Sequence, residues 1–259
     1  MKYILMPKLK HLLQSIEVFT NFITFLRLIF GFYTDSCAVL RTRSGLSIRV
    51  RNNRWDARIM AETYLDRCYP GMFAPLPVNP LVVDIGGYIG DFTLYAAHEL
   101  GARVVVYEPT PENYALLKEN IALNALEDRV TCHNAGVGSS DGRLTLNVTR
   151  GDGALHVSGF LYADASERIT VPAVSMSTVF ADNDLTHIDL LKIDCEGGEY
   201  DIIGAMTGSH FERIDRIVFE YHPIAGFREK METVRIRLTA AGYRITEDRS
   251  NALLAATKV

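Results

Sequence analysis

Two short runs in the C-terminal half carry residue types that proton-transfer chemistry requires. Ile193 to Tyr200 reads IDCEGGEY, and Phe219 to Pro223 reads FEYHP. The first sets Asp194 and Glu196 two positions apart beside a glycine pair, with Glu199 in the first turn of an expected helix. Anions are favoured there by the helix dipole, so capping alone is an equal account of Glu199. The second run offers His222, whose imidazole titrates near neutral pH and suits removal of a proton from a hydroxyl. His222 is the first candidate base, with Asp194 as the alternative base or an orienting group and Glu196 beside it. An imidazole that merely ties the loop before Pro223 is the plainer alternative. Asp194, Glu196, Glu220 and His222 also offer ligands for a hard divalent ion such as magnesium, although linear spacing assigns no metal ligand.

A third run, VDIGGYIGD from Val83 to Asp91, has the form of a strand, a glycine turn and a helix start. Gly86 and Gly90 permit a tight turn and close passage of a ligand, because they lack Cβ. Gly87 and Tyr88 lie between them, and Tyr88 is a candidate to line a cofactor or acceptor pocket. Glu108 closes the next expected strand, 22 residues after Gly86, where an acid accepts hydrogen bonds from ribose hydroxyls. Asp84 discriminates among nucleotides. A dinucleotide pyrophosphate against this turn would be repelled by a carboxylate, whereas S-adenosylmethionine carries a sulfonium and an ammonium that Asp84 attracts, directly or through water. A dinucleotide site and a purely structural turn remain the alternatives. Asn134, at the end of the third strand, is a candidate for the adenine edge, since its amide both donates and accepts; a turn residue is the equal alternative.

The elements that must position these groups follow from apolar periodicity. LVVDI, ARVVVYE, RVTCHNA, IDLLKID and DRIVFEY read as strands of a mostly parallel sheet, separated by helices near Gly90 to Leu100, TPENYALLKENIALN and GEYDIIGAM. EKMETVRIRLTAAG is a final helix, followed by YRITED and NALLAATKV as an antiparallel pair. The pattern predicts a doubly wound α/β, Rossmann-like fold over residues 80–259. RLTLNVT, ALHVSGFL and ITVPAVSM predict a β-rich insertion at about 138–187, placed to shape a substrate pocket. Residues 1–79 form an N-terminal extension: helical to residue 34, then strands CAVLRT and LSIRVR, a helix from Asp56 to Arg67, and a proline-dense connection.

With 259 residues, 48% of them apolar and 22% charged, the chain can bury a large core, and disorder is excluded. A formal charge of −4 gives no support to nucleic-acid binding. Arg41, Arg43, Arg49, Arg51, Arg54 and Arg58 form a local basic run, read as an anion-facing patch or as a solvated face. Cys37, Cys68, Cys132 and Cys195 have no CxxC spacing, and no secretory signal is evident, which favours a cytoplasmic, reduced enzyme. Ile16 to Tyr33 is apolar but holds Glu17, Asn21 and Arg27, so an amphipathic or buried helix is expected, with peripheral membrane contact through residues 1–34 as the alternative. Oligomeric state is left open.

Taken together, VVDIGGYIGDFTLYAA, VVVYEPTPENYALLKENIALN, LLKIDCEGGEYDIIGAM and IVFEYHP resemble the FkbM family of S-adenosylmethionine-dependent methyltransferases, across about residues 80–257. The resemblance implies a class I methyltransferase fold, a seven-stranded sheet with a reversed final strand. It also implies O-methylation of a hydroxyl on a sugar, glycolipid or other small-molecule metabolite. It assigns Asp84, Gly86 and Gly90 to the cofactor loop, Glu108 to the ribose, and Asp194, Glu196, Gly197 and Glu199 to the active-site segment. Family members commonly have Ala-Asn where this chain has Gly87-Tyr88. A NAD-dependent dehydrogenase and a catalytically inactive binding protein are the competing functions.

Overall fold

The computed structural model describes residues 9–69, 71–73, 75–151, 154–158 and 167–259. In chain order it runs α1 (Leu9–Val18), α2 (Phe22–Phe30), β1 (Cys37–Arg41), β2 (Ser47–Arg51) and α3 (Arg54–Met60), which continues as a π-helical turn, Ala61–Leu65. Then come β3 (Leu81–Ile85), α4 (Asp91–Glu99), β4 (Arg103–Tyr107), α5 (Pro111–Leu123), β5 (Val130–His133), β6 (Gly136–Gly138), β7 (Gly142–Gly151), β8 (Ala154–Ser158) and β9 (Glu167–Ser175). The chain ends with α6 (Met176–Asp182), β10 (Leu190–Ile193), α7 (Glu199–Ala205), α8 (Gly208–Glu212), β11 (Arg216–Glu220), α9 (Phe227–Ala240), β12 (Tyr243–Asp248) and β13 (Leu253–Lys258).

The main sheet has seven strands in the order β12-β13-β11-β10-β3-β4-β5, with β13 antiparallel to both of its neighbours. This is the Rossmann-like α/β arrangement with a reversed C-terminal strand. The chain leaves β3 in one direction through β4 and β5, and returns on its other side through β10 and β11. Such a reversal opens a crevice at the carboxyl ends of the two central strands. Strand alternation sorts side chains between two apolar cores. Val82, Val104, Val106 and Leu190 meet one core; Val83, Val105, Leu191 and Ile193 meet the other.

Residues 9–69 belong to the first of these cores. Phe19, Phe25, Leu28, Ile48 and Met60 are buried with Phe92 of α4 and Leu117 of α5. The apolar stretch Ile16 to Tyr33 is two helices, broken because residues 19–21 bond to the first hairpin. Phe19 bridges Thr42, and the Asn21 amide accepts from Arg41 N–H and donates to the Val39 carbonyl at 2.9 and 2.8 Å. Among the described residues, no helix is long and apolar enough to cross a membrane. The expected insertion is a second sheet, β6-β9-β7-β8. Parts of it that the sequence marks, Asp152-Gly153 and Gly159 to Leu161, lie outside the described residues, as does the basic start at Lys2 and Lys8.

One pair of charges sits inside the main sheet. The β10–β3 register places Lys192 beside Asp84, on the face that carries α4. Lys192 Nζ lies 3.0 Å from Asp84 Oδ1, and Thr93 of α4 donates to Asp84 Oδ2 at 2.6 Å. Lys192 also donates to the Gly86 carbonyl at 2.8 Å. Burial opposes the ammonium, but Asp84, Asp194 and Asp91 outweigh it and raise the Lys192 pKa, so the lysine is charged. Removing one member of a buried pair costs about 3–5 kcal/mol, because the other is left uncompensated. Lys192→Met is therefore expected to lower the melting temperature by roughly 6–20 °C. Lys192→Met with Asp84→Leu should recover most of that loss; equal melting of the single variant and the wild type would contradict the assignment.

Candidate active site

The crevice opens into a cavity of about 570 Å³ at the carboxyl ends of β3, β4, β10 and β11. That volume is ample for a nucleoside carrying an amino-acid tail, within the usual ~300–1,000 Å³ of ligand pockets. Its walls come from four parts of the chain. The strand ends supply Gly86, Glu108, Asp194, Glu196, Glu220 and His222. The N-terminal segment supplies Trp55, Arg58, Ile59, Glu62 and Tyr69, with Glu62 carried in on the π-helical turn. The second sheet adds Val137, Leu144 and Leu146, and the turn between β12 and β13 adds Ser250 to Leu253.

The glycine turn is shaped first by protein contacts. A Cβ on Gly86, at φ +85°, would lie 1.7 Å from the Asp194 carbonyl oxygen, so only glycine lets β3 and β10 exit side by side. A Cβ on Gly87 would lie 2.2 Å from Val106 Cγ2, and one on Gly90, at φ +95°, would lie 2.8 Å from Leu117 Cδ1. The close passage expected against a ligand is thus, at these positions, passage against neighbouring strands and helices. Tyr88 lines the cavity with a left-handed backbone, φ +48°, which costs a non-glycine residue about 1–3 kcal/mol. Its hydroxyl donates to Asp56 at 2.6 Å and accepts from Arg51 at 2.8 Å, tying the turn to the N-terminal segment. The expected basic run is dispersed: Arg51 pairs with buried Asp56, Arg58 with Glu62 and Arg49 with Glu119.

Glu108 lines the cavity and is almost wholly buried. It accepts the backbone N–H groups of Tyr88 at 2.9 Å and Thr110 at 2.8 Å, one on each oxygen. The side chains of Thr110 and Asn113 also hydrogen-bond this carboxyl, so a ribose hydroxyl that bonds Glu108 shares or replaces one of these side-chain donors. Burial pushes its pKa up to about 7. Two expected cofactor contacts take other roles. Asp84 is fully buried against Lys192 and Thr93 and does not line the cavity, because the β3–β10 register turns it toward the lysine. Asn134 spends its amide hydrogens on the carbonyls of Glu108 and Pro109, at 2.9 and 3.2 Å, and braces the wall from behind.

The acids at the ends of β10 and β11 gather around His222. Its Nδ1 is 2.5 Å from Glu199 Oε1, and its Nε2 is 3.6 Å from Glu196 Oε2 and 3.8 Å from Glu220 Oε1. Burial works against its charge, but the Glu199 hydrogen bond and the charges of Glu199, Asp194 and Glu196 prevail, and its pKa rises to about 10. At neutral pH His222 is an imidazolium that cannot accept a proton, which corrects its expected role as base. To ligate magnesium the imidazole would have to release this proton. Among the described residues, a grouping able to hold a metal ion is His187, Asp189 and Asp215, in the segments leading into β10 and β11, at the opposite end of those strands from the cavity.

Glu196 and Glu220 face the cavity with raised pKa values, about 7 and about 9 respectively, chiefly from burial. Glu196 sits at a left-handed φ of +54°, held against His222. Tyr69 donates its hydroxyl to Asp194 at 2.9 Å and lies 3.4 Å from Glu220, bridging the two strand ends. Neither Tyr69 nor Lys192 was expected from sequence. Lys192 had a visible signal, a lone charge within the apolar run LLKI; Tyr69 had none, lying 125 residues from the acid it meets. The resulting cavity is rich in carboxyls whose negative charge burial disfavours. Those acids fit a nucleoside bearing a sulfonium and an ammonium, with Glu108 for its ribose, and do not fit a pyrophosphate.

Comparisons with known proteins agree. The methyltransferase FkbM domain matches residues 84–245. Methyltransferase sdnD of Sordaria araneosa is 30% identical over 221 residues, covering 74% of this chain and 83% of that protein. The 31-O-demethyl-FK506 methyltransferase FkbM of Streptomyces tacrolimicus is 28% identical over 220 residues, covering 74% and 85%. Among solved structures, a SAM-dependent methyltransferase from Agrobacterium tumefaciens aligns with TM-score 0.48 at 14% identity, covering 87% of this chain and 71% of that one. At that score the strand order carries the fold argument. On the extent of the domain match and the identity to its relatives, the chain belongs to the FkbM family of S-adenosylmethionine-dependent methyltransferases.

Proposed function

We propose that this methyltransferase acts on oxygen, methylating a hydroxyl of a sugar, glycolipid or other small-molecule metabolite, with Glu196 taking the hydroxyl proton. The observation that carries the reading is geometric: Glu196 lines the cavity at the end of β10, two positions from Asp194 and 3.6 Å from His222, with its pKa raised to about 7 by burial. The relative from Streptomyces tacrolimicus, named for a 31-O-demethyl substrate, supports an oxygen acceptor. Trp55, Ile59, Leu144 and Leu146 give the cavity an apolar side against which a metabolite body can lie.

When bound, S-adenosylmethionine supplies a methyl group activated by a positively charged sulfur. The chain's own residues do the rest. Glu108 would hold the ribose, and the turn at Gly86 would border the nucleoside. Glu196 would take the proton of the acceptor hydroxyl as that oxygen accepts the methyl group. Asp194, fixed by Tyr69, orients the acceptor. His222 keeps its own proton and, as a cation 3.6 Å away, lowers the pKa of Glu196 so that part of it is ionised at neutral pH.

Transfer of a labelled methyl group from the donor to metabolite extract, read by mass spectrometry, tests the reading: an O-methylated product is expected. Methylation only at nitrogen or carbon would overturn the oxygen assignment, and donor binding without turnover would favour a binding protein. Glu108→Ala should weaken S-adenosylhomocysteine binding about 10-fold or more in calorimetry, through loss of its hydrogen bonding to the ribose; unchanged affinity would reject the ribose contact. Glu196→Gln should lower kcat about 10²–10³-fold with donor affinity preserved. In the wild type, kcat/KM should rise with pH as Glu196 ionises near 7. His222→Gln removes a cation that lowers the Glu196 pKa, so this limb should move to higher pH. A limb that moves down, or stays in place, would contradict the role given to His222.

A further inference from the structure

The first 45 residues differ in charge from the rest of the chain. They hold Lys2, Lys8, Lys10, Arg27, Arg41 and Arg43 against Glu17 and Asp35, a formal charge of 6 − 2 = +4. With −4 for the whole chain, residues 46–259 carry −4 − 4 = −8. The same segment concentrates exposed apolar side chains. Of the nine large ones among the described residues, five are Leu13, Ile16, Ile23, Phe30 and Phe32.

Both helices are two-sided. In α1, Leu13 and Ile16 are exposed at a spacing of three, while Ser15 is buried. In α2, Ile23, Arg27 and Phe30 form an outward stripe at spacings of four and three, while Phe25 and Leu28 enter the core. The α2 C-terminus fixes two aromatics together. Gly31 turns left-handed at φ +74°, Phe32 N–H donates to the Arg27 carbonyl at 2.7 Å, and the Phe30 and Phe32 rings stack with centroids 6.3 Å apart. Phe32 is 72% exposed, and Ile23 60%. Arg43 donates to the Ile16 carbonyl at 2.9 Å, which sets a second cation at the end of α1.

We propose that α1, α2 and the turn through Phe32 form a docking surface for an anionic lipid bilayer. The apolar and aromatic side chains enter the headgroup–acyl boundary, and Arg27 and Arg43 meet the lipid phosphates and carboxylates; Lys10 is already paired with Asp66 at 3.4 Å. Apolar insertion and basic attraction together are what interfacial binding requires, since either alone is weak. The acidic remainder is repelled by the same surface, which orients the enzyme with its N-terminal helices down.

Vesicle flotation of the full chain tests this, with pure phosphatidylcholine compared with phosphatidylcholine containing about a third phosphatidylserine. Binding to the anionic vesicles is expected, falling at least several-fold in high salt. Arg27→Glu should weaken it at least about fivefold, and Phe30→Ser with Phe32→Ser at least about tenfold. S-adenosylhomocysteine affinity and melting temperature, measured on the same variants, should stay near wild type, showing that the loss is local. No flotation of the wild type, equal binding to both vesicles, or undiminished binding by the double phenylalanine variant would overturn the proposal. So would a dimer in light scattering that the phenylalanine changes dissolve, which would assign the surface to a second copy of the chain.

Discussion

The Lys192–Asp84 pair is the constraint on which the site is built. A parallel sheet buried on both faces is an unfavourable place for either charge, and neither is stable there without the other. Their register joins the two central strands at the point where strand order reverses, and the lysine's bond to the Gly86 carbonyl extends the link to the glycine turn. Gly86 then lets the Asp194 backbone pass within a distance that no side chain permits. The turn that seats a nucleoside and the strand end that presents the reacting acids are therefore held as one unit. Because Asp84 is already paired, other acids face the cavity, among them Glu108 on one side and Asp194, Glu196 and Glu220 on the other.

Burial then sets the chemistry of those acids. In water they would all be ionised at neutral pH; here Glu196 and Glu220 are pushed up to about 7 and about 9. His222 moves the opposite way in charge, becoming a fixed cation because Glu199, Asp194 and Glu196 surround it. An imidazole and a carboxyl have exchanged the protonation states usually expected of them, so the carboxyl is the proton acceptor. The N-terminal segment is part of this arrangement, since Tyr69 bridges Asp194 and Glu220, and Arg51 with Asp56 anchors Tyr88.

The main sheet was legible in the sequence because its central strands are short apolar runs, as in LVVDI or RIVFE, and the crossovers other than that from β5 to β10 have helical spacing. β6 was not legible: GVG has too few side chains to show a pattern, and its pairing with β9 is remote. α6 was not read: only Met176 of it falls in the segment ITVPAVSM, and the rest lay unassigned in the expected β-rich insertion, although Ser175 caps the helix by accepting from Thr178 N–H. The site was legible as a set of residue types at the correct strand ends, including Glu108, Asp194 and Glu196. The direction of Asp84 was not, because it depends on a lysine 108 positions away in sequence, brought alongside by strand register. The charge on His222 was hidden for the same reason: it depends on which carboxyls fold around the ring.

The central claim is that an underionised acid cavity receives a positively charged sulfur. Calorimetry of S-adenosylmethionine and S-adenosylhomocysteine in two buffers of different ionisation enthalpy, near pH 7.5, tests it most directly, since the two ligands differ at the sulfur in charge and one methyl group. The sulfonium should lower the pKa values of Glu196 and Glu220, so binding of the methyl donor is predicted to release more protons than binding of the neutral thioether. Equal proton release by the two ligands, or net uptake with the sulfonium, would contradict the account.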